Sequence, residues 1–122
     1  MGDAVYEQFI REKIIKSGSV YGGRADLLHK EAVKYVRASA QCAAIKHILE
    51  SGVLSEEEAS VVRRARNHKT ATKPQNAGAI EYKYATAFEA LLGYLHLGGK
   101  AERALEIMEM AYSFGEAQKL PR

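Results

Sequence analysis

The sequence has one cysteine, two prolines and no tryptophan among its 122 residues. A single cysteine, Cys42, excludes a disulfide within the chain and favours a reducing, cytoplasmic setting. One thiol and four histidines without metal-type spacing also fail to make a structural zinc motif. No apolar run approaches the roughly 20 residues of a membrane-spanning helix, and no secretory signal is visible, so we expect no membrane contact.

The composition is typical of a folded domain, with 47% apolar residues, 27% charged residues and a formal net charge of +3. A chain of this length usually forms one domain and buries about two thirds of the surface that its unfolded form exposes. We therefore predict a single domain over residues 1–122, with a core that needs no disulfide.

Apolar residues recur at helical spacing along most of the chain, and no segment alternates as a strand requires. Both prolines, Pro74 and Pro121, lie outside the helical segments. The predicted helices span about residues 2–17, 26–50 with one break near Ser39, 55–66, 80–97 and 101–115. The last of them is predicted to bury Leu105 and to end near Gly115. The fold class is therefore predicted to be all-α, a helical bundle.

The best-defined helix start is the segment Ser55-Glu56-Glu57-Glu58. A serine followed three residues later by a glutamate is the pattern of a capping box, in which each side chain bonds to the backbone of the other residue. The carboxylates also suit the positive end of the helix dipole. The pattern predicts a helix that begins directly after Ser55.

Basic side chains are concentrated between residues 63 and 83, where the only acid is Glu81. The basic residues are Arg63, Arg64, Arg66, Lys69, Lys73 and Lys83. Residues 67–79 within this segment are predicted to form a loop, and long loops in small domains are often functional. The local charge suits contact with phosphate, but a solvated helix end whose arginines satisfy the helix dipole gives the same pattern. The residues alone leave both interpretations open.

Two carboxylates lie where helix periodicity predicts partial burial. Asp3 lies at the edge of the apolar face of the first helix, and Glu89 lies within the most apolar stretch of the chain. A half-buried carboxylate needs a cationic partner or a metal ion to offset its desolvation. A salt bridge satisfies this need for either acid alone, and nothing in the spacing brings the two acids together.

Several motifs in register resemble one family of enzymes. The opening Gly2-Asp3-Ala4-Val5 resembles the core of the ribonuclease III signature, and residues 87–95, AFEALLGYL, resemble that family's second catalytic stretch. Residues 26–36, 63–67 and 73–76 resemble one branch of the family, Mini-ribonuclease III. The resemblance covers almost the whole chain and preserves the order and spacing of the motifs.

The resemblance implies a ribonuclease III-type helical domain that acts as a homodimer and cleaves double-stranded RNA. The branch lacks the double-stranded-RNA-binding domain of the full-length enzymes, and its members mature the ends of large ribosomal RNA, the 23S precursor, in the bacterial cytoplasm. The resemblance also implies Mg²⁺ as the cofactor, with Mn²⁺ as an alternative, and products with 5′-phosphate and 3′-hydroxyl ends.

The resemblance assigns roles to particular residues. It implies that Asp3 and Glu89 bind the metal ion and carry the catalysis. It implies RNA contacts for four basic residues, namely Arg64, Arg66, Lys69 and Lys73. Three further residues match the motifs of the branch without a defined role and are candidates for packing or RNA contact, namely His29, Lys30 and Asn76.

The chain departs from the wider family at two places. Thr86 stands where the classical enzymes have a further aspartate, although the branch relies on fewer acids. Family members also have a helix before the Gly-Asp-Ala-Val motif, so we expect the family's first helix to be missing here and cleavage to be weaker than with it. The alternative function is a non-catalytic relative of the same fold that binds double-stranded RNA or acts as a scaffold.

Overall fold

The chain folds into six α-helices in the computed structural model, which describes residues 1–16, 25–68 and 77–119. The helices are α1 (Gly2–Lys16), α2 (Ala25–Val36), α3 (Ala38–Ser51), α4 (Glu56–Arg66), α5 (Ala77–Leu97) and α6 (Ala101–Lys119). These three ranges contain no strand, and the all-α prediction is confirmed. No helix within them combines the length and the apolar character that crossing a membrane requires.

Helix α5 lies at the centre of the bundle and packs against α1, α3, α4 and α6. Its apolar residues recur at helical spacing and are buried, as the sequence pattern predicts, namely Phe88, Leu91, Leu92 and Leu95. The other helices add buried side chains to the same core, among them Tyr6, Ile10, Ile14, Ala44, Ile45, Ile48, Val62, Ala104, Ile107 and Met108. The rings of Tyr6 and Phe88 meet edge to face at 4.9 Å, which fixes the start of α1 against the middle of α5.

The turn between α3 and α4 is closed by the predicted capping box. The Glu58 amide donates a hydrogen bond of 3.1 Å to Ser55 Oγ, and the Ser55 amide donates one of 2.9 Å to the Glu58 carboxylate. Arg103 of α6 donates two further bonds of 2.9 Å to the same carboxylate. Glu58 is buried, so one fully bonded acid both caps α4 and ties it to α6.

The helix boundaries differ from the prediction at three places. The break between α2 and α3 falls at Arg37, two residues earlier than predicted. Helix α5 begins at Ala77, inside the predicted loop, of which residues 69–76 lie outside the described ranges. Helix α6 continues past Gly115 for another turn. A Cβ atom added at Gly115 would lie 2.9 Å from the ring of Tyr35, so this glycine permits close helix packing and does not end the helix.

One predicted core residue of α6 lies on the surface. Leu105 is 47% exposed, whereas Ala104, Ile107 and Ala111 are buried. Successive residues of an α-helix are rotated by about 100°, so the face defined by positions 104, 107 and 111 turns position 105 away from the core. The prediction that α6 buries Leu105 is wrong. The apolar residues of α6 extend around more of the helix than the face that packs against the bundle, and Leu105 lies outside that face.

Candidate active site

The first turn of α1 lies directly against the middle of α5, and a glycine makes this contact possible. A Cβ atom added at Gly2 would overlap the carbonyl oxygen of Glu89, so no other residue fits at this position without a shift of the backbone. At the facing glycine, Gly93, an added Cβ would lie 3.4 Å from the amide nitrogen of Gly2. The two helices therefore meet backbone to backbone, and Asp3, the residue after Gly2, is held beside Glu89.

Asp3 lies at the exposed edge of this contact. The amide of Ala4 donates a hydrogen bond of 2.9 Å to Asp3 Oδ1, and the terminal ammonium of Met1 lies 3.4 Å from the same oxygen. The Ala4 amide, and after it the ammonium, lower the pKa of Asp3 below its ordinary value of 3.8. Asp3 is therefore an anion at neutral pH and faces solvent.

Glu89 lies half-buried on α5 and has the opposite electrostatic character. Burial raises the pKa of Glu89 above its ordinary value of 4.5, and the charge of Asp3 raises it further. A hydrogen bond of 3.3 Å from Gln41 Nε2 to Glu89 Oε2 opposes these effects without cancelling them. Because the charge of Asp3 acts on Glu89, the two carboxylates form one electrostatic site.

The pair has the donor chemistry that a hard divalent cation requires. Mg²⁺ prefers oxygen ligands, is commonly held by one or two carboxylates and keeps several of its water molecules. A cation beside Asp3 and Glu89 would offset both the desolvation of Glu89 and the repulsion between the acids. In the described parts of the chain, no cluster of three or more acidic, histidine or cysteine side chains could hold a metal ion. The two carboxylates therefore fit a divalent ion that keeps water molecules on its solvent-facing side.

A basic groove lies between α4 and α5 and leads towards the acid pair. Its cavity volume is about 500 Å³, and it is lined by Arg64, Ala65, His68, Tyr82, Lys83 and Thr86. Thr86 precedes Glu89 by three residues, which places the two on the same face of α5, one turn apart. The groove therefore combines positive charge with an exposed aromatic ring at Tyr82, and its lining residue Thr86 lies one turn from Glu89.

The two predicted RNA-binding arginines of α4 differ in their surroundings. Arg64 is exposed and contacts its own helix through a hydrogen bond of 3.4 Å to the carbonyl oxygen of Ser60. Arg66 donates to the hydroxyl of Tyr84 at 3.3 Å, and its guanidinium lies 5.6 Å from the centre of that ring. Arg64 therefore faces the groove with its charge available, whereas Arg66 is partly engaged on α5.

Of the other sequence candidates, the structure describes His29 and Lys30, and it shows no hydrogen bond from either to the acid pair. Lys69, Lys73 and Asn76 lie outside the described residues. His29 and Lys30 are exposed on α2, and the ring Nδ1 of His29 lies 3.0 Å from Arg11 Nη2. The same Arg11 nitrogen lies 3.0 Å from Glu7 Oε1, so His29 belongs to a polar group on α1 and α2 that includes Arg11 and Glu7.

Sequence reasoning missed three polar or aromatic residues near the site, namely Gln41, His68 and Tyr82. Gln41 carries the clearest signal in retrospect, because it shares a helix face with the apolar residues Ile45 and Ile48. An uncharged polar residue inside such a stripe indicates a buried hydrogen-bonding role. His68 and Tyr82 carry no such signal, because only the packing of α4 on α5 brings them into one groove.

The all-α bundle is that of a ribonuclease III domain. The family model of the ribonuclease III domain matches residues 1–100, and the chain belongs to this family. Within the family, the chain is similar to proteins named Mini-ribonuclease 3 over nearly its whole length. The resemblance inferred from the sequence motifs is confirmed.

Two relatives and one solved structure show the extent of the similarity. Mini-ribonuclease 3 of Symbiobacterium thermophilum is 45% identical over 116 residues, which cover 95% of this chain and 85% of the relative. That of Thermoanaerobacter sp. is 48% identical over 111 residues, covering 91% of this chain and 75% of the relative. A crystal structure of a Fusobacterium nucleatum protein matches with a TM-score of 0.73 at 31% identity, covering 93% of this chain and 86% of that one. These similarities support assignment of the chain as an endoribonuclease.

Proposed function

We propose that this chain is a metal-dependent endoribonuclease for double-stranded RNA, with Asp3 and Glu89 as its metal-binding pair. The observation that carries the proposal is the backbone contact of Gly2 with Glu89, which brings together two carboxylates that are far apart in the sequence. The terminal ammonium offsets part of the repulsion between the acids, since it lies 3.4 Å from Asp3 Oδ1 and acts to lower the pKa of Glu89, yet that pKa stays above its ordinary value. The pair therefore favours a ligand of opposite charge.

Each acid has a distinct part in the proposed chemistry. Asp3 and Glu89 would hold Mg²⁺, or Mn²⁺ in its place, and the ion would supply an activated water molecule and neutralise charge on the phosphate. Asp3 is ionised and exposed, so it offers oxygen to the ion from the solvent side. Glu89 is half-buried and would offer its carboxylate to the ion from α5. The family resemblance implies that hydrolysis leaves a 5′-phosphate and a 3′-hydroxyl.

The basic groove supplies the RNA contacts in this proposal. Double-stranded RNA presents phosphates and 2′-hydroxyls more readily than base edges, so recognition depends on shape and charge. Arg64 and Lys83 line the groove beside Thr86, one turn from Glu89, and suit contact with a backbone that crosses the acid pair. We extend the same role to Lys69 and Lys73, which follow α4 in the sequence.

The substrate and assembly follow from the family resemblance. A duplex has two strands, and one acid pair per chain serves one strand, so a homodimer accounts for cleavage of both. The name Mini-ribonuclease 3, borne by the relatives, supports membership of this branch. Maturation of 23S ribosomal RNA precursor in the cytoplasm is what the resemblance to the branch implies, and we include it in the proposal.

A cleavage assay on a structured double-stranded RNA tests the proposal. With Mg²⁺ we expect cuts in the duplex with 5′-phosphate and 3′-hydroxyl ends, and with a chelator we expect none. A single-stranded RNA of the same composition is the control for substrate class. Binding of the duplex without any cleavage in Mg²⁺ or Mn²⁺ would favour the alternative, a non-catalytic RNA-binding relative.

The RNA-binding role of the basic segment has a separate test. Replacing Lys69 and Lys73 with alanine should weaken duplex binding and lower the slope of log K against log salt by about 1 for each phosphate that is no longer neutralised. Lys100→Ala is the matched control, because this exposed lysine lies beyond the opposite end of α5. Equal weakening in all three variants would mean that only net charge matters and would contradict a defined RNA path.

A further inference from the structure

Gln41 is a buried polar residue beside the acid pair. It lies in the first turn of α3 and is only 4% exposed. Its Nε2 donates one hydrogen bond of 2.6 Å to the carbonyl oxygen of Val36 and another of 3.3 Å to Glu89 Oε2. Both N–H groups of the amide are therefore engaged, one on the backbone at the end of α2 and one on the carboxylate.

The burial of Gln41 lowers the stability of the core compared with an apolar residue at the same position. Gln41 Oε1 is buried and has no hydrogen-bond partner within the described ranges, and an unpaired buried acceptor costs stability. The neighbours on the same face of α3, Ile45 and Ile48, are apolar and fully buried. An apolar side chain of similar size would fill this position without an unpaired oxygen. The glutamine is therefore better explained by what it does to Glu89 than by packing.

We propose that Gln41 is a positioning residue that holds the Glu89 carboxylate towards Asp3, so that the two acids bind one divalent ion together. This inference rests on the proposed function of the acid pair. Of the described residues, Gln41 is the one that donates a hydrogen bond to the Glu89 carboxylate. The bond to Val36 fixes the amide in turn, so the direction of Glu89 is set by the junction of α2 and α3.

Loss of the Gln41 hydrogen bond should have the effect of losing a residue that orients a metal ligand without touching the ion. The loss of such a residue typically weakens metal binding or activity by about 10- to 100-fold. A glutamate has three rotatable side-chain bonds, so an unheld carboxylate spends most of its time away from the geometry that binds the ion.

The test compares Gln41→Met with the unchanged protein. Methionine has nearly the same length and volume but no N–H group, so it removes the hold on Glu89 and keeps the space filled. We expect the affinity for Mn²⁺ in the absence of RNA to fall by about 10-fold or more. The electron paramagnetic resonance signal of the free ion measures this affinity. With RNA, kcat at fixed Mg²⁺ should fall by a similar factor while KM for the duplex stays unchanged.

The controls separate positioning from a loss of folding. Gln8→Met makes the same chemical change on the exposed side of α1, where Gln8 donates a hydrogen bond to Glu12, and should leave Mn²⁺ affinity and kcat unchanged. Thermal unfolding without metal is measured for each variant, and binding is measured well below the lowest midpoint. A merely structural Gln41 would lower the midpoint and leave the Mn²⁺ affinity of the folded protein intact.

A second variant keeps the inference testable if Gln41→Met does not fold. Gln41→Asn retains the amide but withdraws it by one methylene, so it cannot reach both Val36 and Glu89, and we expect weaker Mn²⁺ binding again. Wild-type Mn²⁺ affinity in either folded variant overturns the positioning role.

Failure of the inference is distinguishable from failure of the proposed function. If Glu89→Gln abolishes Mn²⁺ binding while Gln41→Met binds normally, the acid pair stands and only the role of Gln41 is rejected. If Glu89→Gln itself binds Mn²⁺ and cleaves normally, the proposed metal site is wrong, and the inference falls with it.

Discussion

Two glutamates of this bundle, Glu58 and Glu89, have opposite surroundings although both are withdrawn from solvent. Glu58 accepts one bond from the Ser55 amide and two from Arg103, all of 2.9 Å. These bonds, with that of Arg103 the largest influence, lower the pKa of Glu58. Glu89 accepts one bond of 3.3 Å and lies beside another anion, and its pKa is raised, chiefly by burial.

The difference separates an acid that serves the fold from one that is available to a ligand. A buried carboxylate stabilises a structure only when cationic or N–H partners replace the water that it loses. Glu58 has such partners on both oxygens, whereas Glu89 has one hydrogen-bond partner, the charge of Asp3 against it and the terminal ammonium in its favour, and its pKa stays raised. An ionisable group left under-compensated next to an open surface is typical of a functional site. Variants of either acid, or of its partners, test this contrast.

The largest effect is expected from Glu89→Gln. Losing a metal ligand removes several kcal/mol of transition-state stabilisation, so kcat for duplex cleavage should fall by about 10³-fold or more. Duplex affinity should stay close to that of the unchanged protein, because the groove is intact. Asp3→Asn should behave in the same way. Cleavage at near-normal rates by both variants would place the reaction elsewhere in the molecule.

The corresponding change at the other acid, Glu58→Gln, should lower the stability of the protein and leave RNA cleavage unchanged. It removes the buried one of the two carboxylates that Arg103 contacts, leaving Glu106 at 3.1 Å, and weakens the capping box, so we expect a loss of about 2 kcal/mol in the free energy of unfolding. Urea unfolding measures this loss, and kcat at low temperature should be unchanged. Glu56→Gln, which removes a charge from the same helical turn on an exposed side chain, is the control and should cost little.

The pH dependence of stability should differ in sign between the two acids when no divalent ion is present. Because the pKa of Glu58 is lowered, its stabilisation is present above the ordinary value of 4.5 and is lost as pH falls through the folded-state pKa. Because the pKa of Glu89 is raised, its contribution is favourable below 4.5 and is lost as pH rises through the folded-state pKa.

Thermal unfolding in a chelator tests this difference between the acids. Relative to the unchanged protein, Glu89→Gln should gain stability as pH rises from about 4 to about 7, whereas Glu58→Gln should lose it. Adding Mg²⁺ should then raise the unfolding midpoint of the unchanged protein but not that of Glu89→Gln. Parallel pH curves for both variants would contradict the contrast between the two sites.

The smallest effect is expected from Ser55→Ala, which removes one cap bond and leaves the Glu58–Arg103 contact in place. The loss should be about 1 kcal/mol, measured by urea unfolding. Cleavage and RNA affinity should not change. A loss of stability as large as that of Glu58→Gln would mean that the capping box, and not the contact with Arg103, contributes most of the stability at the turn between α3 and α4.

Local patterns predicted most of the fold but misjudged where tertiary contacts override them. The capping box at Ser55 lies at the predicted residue because both of its bonds lie within one helical turn. The prediction of a helix end near Gly115 is wrong, because glycine is typical both of helix ends and of close packing, and only the ring of Tyr35 tells the two apart. The predicted break between α2 and α3 exists, but it falls at Arg37, two residues before the predicted position near Ser39.

The candidate site was predictable in part. The partial burial of Glu89 follows from its apolar neighbours, but its pairing with Asp3 came from a resemblance to a family and not from spacing. Gln41 was missed because a single polar residue in an apolar stripe does not reveal which neighbour it bonds. The RNA-binding roles of Lys69 and Lys73 stay predictions.

The sequence by itself determined the helices, their caps and the charge of the segment after α4, because these depend on periodicity and on bonds between residues a few positions apart. Only the tertiary structure decided that Gly2 meets Glu89, that Asp3 acts on the same site and that Gln41 reaches it from α3. Those contacts join distant parts of the chain, and the one between α1 and α5 needs glycine, because only a residue without a Cβ atom lets the two helix backbones touch.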